Sequence, residues 1–154
     1  MRIAFGADDT SATVDAVLDH LRDAGHDVTV VDAGTPWPTI AHRVGTAVVD
    51  GTTDTGIVMC WTGTGTSIAA NKVPGVRAAL AWEPWIARNA RRWNDANVLA
   101  LSLKRTAPDV AVEIVDAFLD VETPDADEVD NIAAMERWQG PTGIDSTSGF
   151  KSNV

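Results

Sequence analysis

A chain of 154 residues fits one domain with a buried core, and its 45% hydrophobic residues are spread throughout, as in a globular protein. No apolar run nears the roughly 20 residues that span a bilayer, and a net charge of −10 argues against a nucleic-acid surface. One cysteine cannot make an internal disulfide, which points to the cytoplasm. The start, Met1-Arg2-Ile3-Ala4-Phe5-Gly6, enters a strand with no signal-peptide pattern. Asp outnumbers Glu by 17 to 5 and Arg outnumbers Lys by 9 to 3, the balance of a high-salt cytoplasm or of a GC-rich genome. The acidity is therefore read as surface adaptation and not as a binding site.

The predicted elements alternate. Residues 2–7 form a strand and 11–24 a helix with Val14, Val17, Leu18 and Leu21 on one face, closed by Gly25. A second strand covers 27–32, and Pro36-Trp37-Pro38 opens a helix to about Val49. The third strand, 55–60, leads to a short helix at 66–72, then a strand at 76–81, a helix at 84–92, a strand at 97–103 and a helix at 108–119. Such alternation implies a five-stranded parallel sheet covered on both faces, a three-layer αβα sandwich of the α/β class. An acidic stretch, 125–138, carries Val129, Ile132, Ala133 and Met135 at helical spacing and predicts an extra C-terminal helix on the domain or on a partner subunit. One domain, 1–139, is expected, with 140–154, rich in Gly, Ser and Thr, as a disordered tail.

Ligands of open parallel sheets bind at the carboxyl ends of the strands. Three polar features are expected to converge there: Asp8-Asp9, the loop Cys60-Trp61-Thr62-Gly63-Thr64-Gly65-Thr66-Ser67, and Trp93-Asn94. The loop puts the lone thiol at a strand end, followed by glycines and hydroxyls able to aim backbone N–H groups at an anion. It is not a nucleotide loop: a Walker sequence needs Gly-Lys-Ser/Thr at its end, and a dinucleotide fingerprint needs Gly where Ile68 stands. One of Asp8 and Asp9 is expected to cap the first helix, and the other is free to accept from a ligand hydroxyl. The six tryptophans read as core or interface, except Trp61, an odd choice for packing inside a glycine-rich loop. His20, His26 and His42 read as solvated, and none has metal-ligand spacing, so neither metal nor cofactor is expected.

These residues resemble the ribose-5-phosphate isomerase type B and galactose-6-phosphate isomerase family. The likeness rests on Ile3-Ala4-Phe5-Gly6-Ala7-Asp8, on Cys60-x-Thr62-Gly63-x-Gly65-x-Ser67-Ile68-Ala69-Ala70-Asn71-Lys72, on Val73-Pro74-Gly75-Val76-Arg77-Ala78 and on Asn94-Asp95-x-Asn97-Val98-Leu99-Ala100, over about residues 1–120. The resemblance implies a Rossmann-like fold, a homodimer or a tetramer of paired dimers, and active sites completed by the neighbouring subunit. It also implies aldose–ketose isomerisation of a phosphorylated sugar through an enediolate. Carried over, Cys60 is the base, Thr62 moves protons between the two oxygens, the loop from Gly63 to Ser67 is the anion hole, and Asp8 and Asn94 hold sugar hydroxyls.

The departures from the family pattern are also informative. Asp9 and Trp93 stand where the family has histidines, Trp61 stands for the loop's first glycine, and Asp127 and Asn131 fall near its phosphate-binding arginines. Lys104 replaces the arginine after strand five, with Arg88, Arg91, Arg92 and Arg105 as candidate substitutes for the others. This pattern implies intact proton transfer with rebuilt ring opening and phosphate recognition, favouring a substrate that needs no ring opening, such as a tetrulose 4-phosphate, beside a pentose phosphate. The competing reading is a non-catalytic sensor of phosphorylated sugars on the same fold.

Overall fold

The computed structural model describes residues 1–31 and 34–137. Among them the chain runs β1 (Arg2–Ala7), α1 (Ala12–Asp23), β2 (Asp27–Val31), α2 (Trp37–Val49), β3 (Thr55–Cys60), α3 (Thr64–Ala70), β4 (Ala78–Leu80), α4 (Pro84–Asn94), β5 (Val98–Ser102), α5 (Pro108–Leu119), a 3-10 turn (Ala126–Glu128) and α6 (Val129–Arg137). The five strands are parallel in the order β2-β1-β3-β5-β4. The predicted α/β sandwich and its extra C-terminal helix are both present. The proposed tail and Trp138 lie outside the described residues.

The period-2 alternation of the strands builds two cores. On one face Phe5, Ile57, Met59 and Leu101 pack with Val17, Ile114 and Phe118 of α1 and α5. On the other, Val58, Val98 and Ala100 pack with Ile40 and Val44 of α2 and Ala70 of α3. Burial of each such large side chain contributes about 1.5–3 kcal/mol before ordering costs. β3, central in the sheet, is buried at every position.

Several local expectations are corrected. Ser11, not Asp8 or Asp9, caps α1, its hydroxyl accepting from Val14 N at 3.3 Å, while Asp9 accepts from Thr10 N at 2.8 Å. β4 is three residues long, because Val76 N turns back to Val73 O at 3.0 Å and delays strand entry. Asn71 then presents its amide to Ala78, accepting from its N–H at 2.9 Å and donating to its carbonyl at 2.8 Å. His26 is only partly solvated, its Nδ1 buried with no partner among the described residues, and His20 lies 2.6 Å from Asp116. Among the described residues no tryptophan fills the core, since Trp37, Trp61, Trp82, Trp85 and Trp93 are all exposed. α6 buries no residue fully and is tied to the domain by an ion pair between Glu136 and Arg77. Among the described residues no helix is long and apolar enough to cross a membrane.

Candidate active site

From β1 the chain builds outward to β2, then crosses to the other side of β1 for β3, so the topological switch point lies between β1 and β3. Their carboxyl ends flank the crevice where open α/β sheets bind ligands. The register aligns Ala7 with Met59, and Asp8 N extends the ladder to Met59 O at 3.2 Å. Asp8 and Cys60 therefore emerge side by side. They line one cavity of about 250 Å³ with Trp37, Trp61, Thr62, Thr64 and Gly65.

The backbone fixes the thiol. The Cys60 carbonyl accepts from Leu103 N at 3.0 Å and from Gly63 N at 3.1 Å, tying the residue to β5 and to its own loop. Gly63 has φ of +75°, and a Cβ there would come within 2.5 Å of a Leu80 methyl and 2.9 Å of the Leu101 carbonyl carbon. That left-handed turn lets α3 begin at Thr64, two residues before the predicted start. Thr64, Gly65 and Thr66 thus occupy the first turn, where a helix has no preceding carbonyls for its N–H groups. A Cβ on Gly65 would press within 3.2 Å of the Trp37 ring, so the glycine also makes room for the indole.

The fully buried Thr66 hydroxyl lies 3.4 Å from Cys60 Sγ and 3.2 Å from Gly63 O. A hydroxyl has one proton, so the two acceptors compete for it. Thr62 and Thr64 share a hydrogen bond of 2.6 Å between their hydroxyls at the cavity mouth. Asp8 Oδ1 is buried with no protein partner, and burial raises its carboxyl above the ordinary value, aided by the Asp9 charge and opposed by its own N–H. An acceptor in that state is poised for a ligand hydroxyl.

A second cavity, about 240 Å³, adjoins the first and shares Trp61 and Thr62 with it. Its other walls are Leu80, Ala81, Trp82, Ser102, Lys104, Arg105 and Thr106. Lys104 Nζ stands 5.1 Å from the centre of the Trp61 ring. Ser67, the last predicted loop residue, faces away, its hydroxyl 3.5 Å from Ala78 O.

Trp93 and Asn94 do not join this site within one chain, which corrects the expected convergence. α4 runs back across the sheet, so its last residues precede the amino end of β5. Asn94 lines a different cavity, about 410 Å³, with Asn71, Arg77, Ala79, Ala96 and Met135. Trp93 packs edge-on against Trp85 at 5.6 Å between ring centres. Asp95, at φ of +46°, closes the helix; Arg77 holds its carbonyl at 2.7 Å and its carboxylate at 2.6 Å. Of the arginines considered as phosphate ligands, Arg91 bonds the carbonyls of Ala96 and Val121, and Arg92 pairs with Asp125 at 2.9 Å. Arg88 lies 3.9 Å from Asp120. Arg105 alone of the four lines a cavity next to Cys60's. Sequence reasoning missed Trp37 and Trp82 as cavity walls; their positions just past the carboxyl ends of β2 and β4 were the available signal.

A doubly wound sheet with a thiol, a carboxylate and a glycine-hydroxyl loop at its switch point defines a small-molecule enzyme of the α/β class. The ribose/galactose isomerase family model matches residues 3–135. Ribose-5-phosphate isomerase B of Escherichia coli is 41% identical over 125 residues, covering 77% of this chain and 83% of that protein. A D-erythrulose-4-phosphate isomerase of Pectobacterium atrosepticum is 38% identical over 132 residues, 79% of this chain and 84% of its own. The solved ribose-5-phosphate isomerase B of Clostridium thermocellum superposes with a TM-score of 0.82 at 34% identity, over 90% of this chain and 97% of that one. The chain belongs to the ribose/galactose isomerase family.

Proposed function

We propose that the protein is an aldose–ketose isomerase of a short phosphorylated sugar, working through an enediolate with Cys60 as base. The observation that carries this reading is the single cavity in which the Cys60 thiol, the Asp8 carboxyl with its unpartnered Oδ1 and the first turn of α3 meet. The Cys60 thiolate takes a proton from the carbon next to the carbonyl, and the electron pair moves onto the carbonyl oxygen, giving an enediolate. The amides of Thr64, Gly65 and Thr66 stabilise that oxyanion. The Thr66 hydroxyl turns its one proton from Gly63 O to Sγ when the sulfur is charged. Thr62 passes a hydroxyl proton between the two oxygens, and Cys60 returns its proton to the neighbouring carbon, so the enzyme ends as it began. Asp8, with Asp9 at the rim, accepts sugar hydroxyls, and Lys104 supplies a cation for the phosphate.

Asn94 and Trp93 serve the site from a neighbouring subunit in a homodimer, since α4 carries them to the far end of the sheet. A four-carbon sugar phosphorylated on its last oxygen cannot close a furanose ring and needs no ring-opening residue, so tetrulose 4-phosphates head the candidates, with pentose phosphates behind. The test is isomerisation of erythrulose 4-phosphate and ribulose 5-phosphate in D2O. Deuterium incorporation at C1 or C2 that disappears in Cys60→Ala supports the reading. Binding without exchange for every sugar phosphate tried, or undiminished exchange in Cys60→Ala, rejects it.

A further inference from the structure

We propose that Trp61 is a partition that sets the length of sugar phosphate the enzyme accepts; the inference rests on the isomerase reading above. Trp61 and Thr62 are the residues common to the Cys60 cavity and the Lys104 cavity, which hold about 250 and 240 Å³ respectively. The indole is 57% exposed, so core packing does not account for it. Its backbone is nevertheless immobilised: the Trp61 carbonyl accepts from Ser102 Oγ at 2.9 Å and from Lys104 N at 3.1 Å. The ring is clamped in turn by the Lys104 ammonium over its face, 5.1 Å from the ring centre. A large rigid group pinned at both ends in an open loop acts as a wall.

The two compartments differ in chemistry. The space on the Cys60 side carries the thiol, the carboxyl and the hydroxyls, the groups that handle C1 and C2. The space beyond the wall carries Lys104 and Arg105 with Ser102 and Thr106, and the apolar surfaces of Leu80, Ala81 and Trp82. A chain of four carbons ends its phosphate at the rim, under the Lys104 ammonium. Each further carbon pushes the phosphate into the indole. Removing the indole joins the compartments and gives a longer chain both room and a second cation, Arg105.

The test compares the full-length protein with Trp61→Ala and Trp61→Phe, measuring kcat and KM for erythrulose 4-phosphate, ribulose 5-phosphate and tagatose 6-phosphate. The partition predicts that wild-type kcat/KM falls with each added carbon. In Trp61→Ala the ratio of six-carbon to four-carbon kcat/KM rises at least about tenfold, mainly through KM of the longer substrate, with Trp61→Phe between the two. An unchanged ratio, with all three proteins still exchanging substrate protons with D2O, overturns the partition and leaves the isomerase reading standing. No exchange with any of the three substrates overturns both. Because Trp61 is exposed, its replacement loses little beyond the Lys104 contact, and thermal midpoints within about 4 °C of one another are expected for the three proteins.

Discussion

The two ends of the sheet solve different problems. At the carboxyl end of β1 and β3 the main chain sets the central groups: Cys60 through two bonds to its carbonyl, Asp8 through the ladder, and α3 through the left-handed turn at Gly63. At the opposite end, Asp95, next to Asn94, is held by a side chain, the Arg77 guanidinium, which also grips α6 through Glu136. Main-chain bonds survive substitution of neighbouring side chains, whereas a guanidinium clamp is undone by one mutation. The proposed proton transfer, intolerant of small displacements, falls at the rigid end. On the proposed function, recognition falls instead to long side chains: Lys104, Arg105 and Trp61 beside the Cys60 cavity, and Trp93 at the far end.

The sharpest way to break this contrast is at the thiol. Cys60→Ala should lower proton exchange by about 10²–10⁴-fold, the usual contribution of a positioned base, with little change in the urea midpoint. Gly63→Ala should come next, losing about 2–4 kcal/mol in denaturant unfolding, because a side chain is strained at that φ and its Cβ collides with Leu80 and Leu101. If it unfolds like wild type, the main-chain account of the rigid end is wrong. Arg77→Met attacks the other end. Arg77 is mostly buried while its acidic partners are a third to a half exposed, so about 1–2 kcal/mol of stability should be lost, with KM rising more than kcat falls.

The smallest effects are in pH dependence, and their signs differ. Burial raises Asp8, so the folded state holds that proton more tightly than the unfolded chain; the stability it contributes is present at low pH and is lost as pH rises from 3.8 through the raised value. Asp8→Asn should flatten unfolding free energy over that window. Burial lowers His26, helped by the charges of the N-terminus and His20 against Asp116, so stability is lost as pH falls below 6.5. His26→Gln should remove that slope; an unaltered acid limb in urea titrations would reject the assignment.

Much of the fold was legible because burial writes itself into periodicity. β1 and β3 alternate between two cores, and α1 and α5 carry their apolar positions every three or four residues. The Cys60 loop was legible because thiol, glycine and hydroxyl are unusual company at a strand end. Three things were hidden. The start of α3 depended on the sign of one φ angle at Gly63, which no residue pattern announces. The placement of Trp93-Asn94 depended on the direction in which α4 returns, so nearness to β5 in sequence was mistaken for nearness to its carboxyl end. The tryptophans other than Trp61 read as core or interface, yet Trp37, Trp82, Trp85 and Trp93 lie exposed on loop and helix surfaces, and Trp37 joins Trp61 in walling the cavity.

The amide of Asn71 has a consequence at the sheet's edge. β4 is the outermost strand, and an outermost strand ordinarily offers unpaired N–H and C=O groups to any extended chain that drifts past. By answering both backbone groups of Ala78, Asn71 acts as a sixth strand one residue long. Sheet growth ends there, and further strands are denied a template at the first residue of β4.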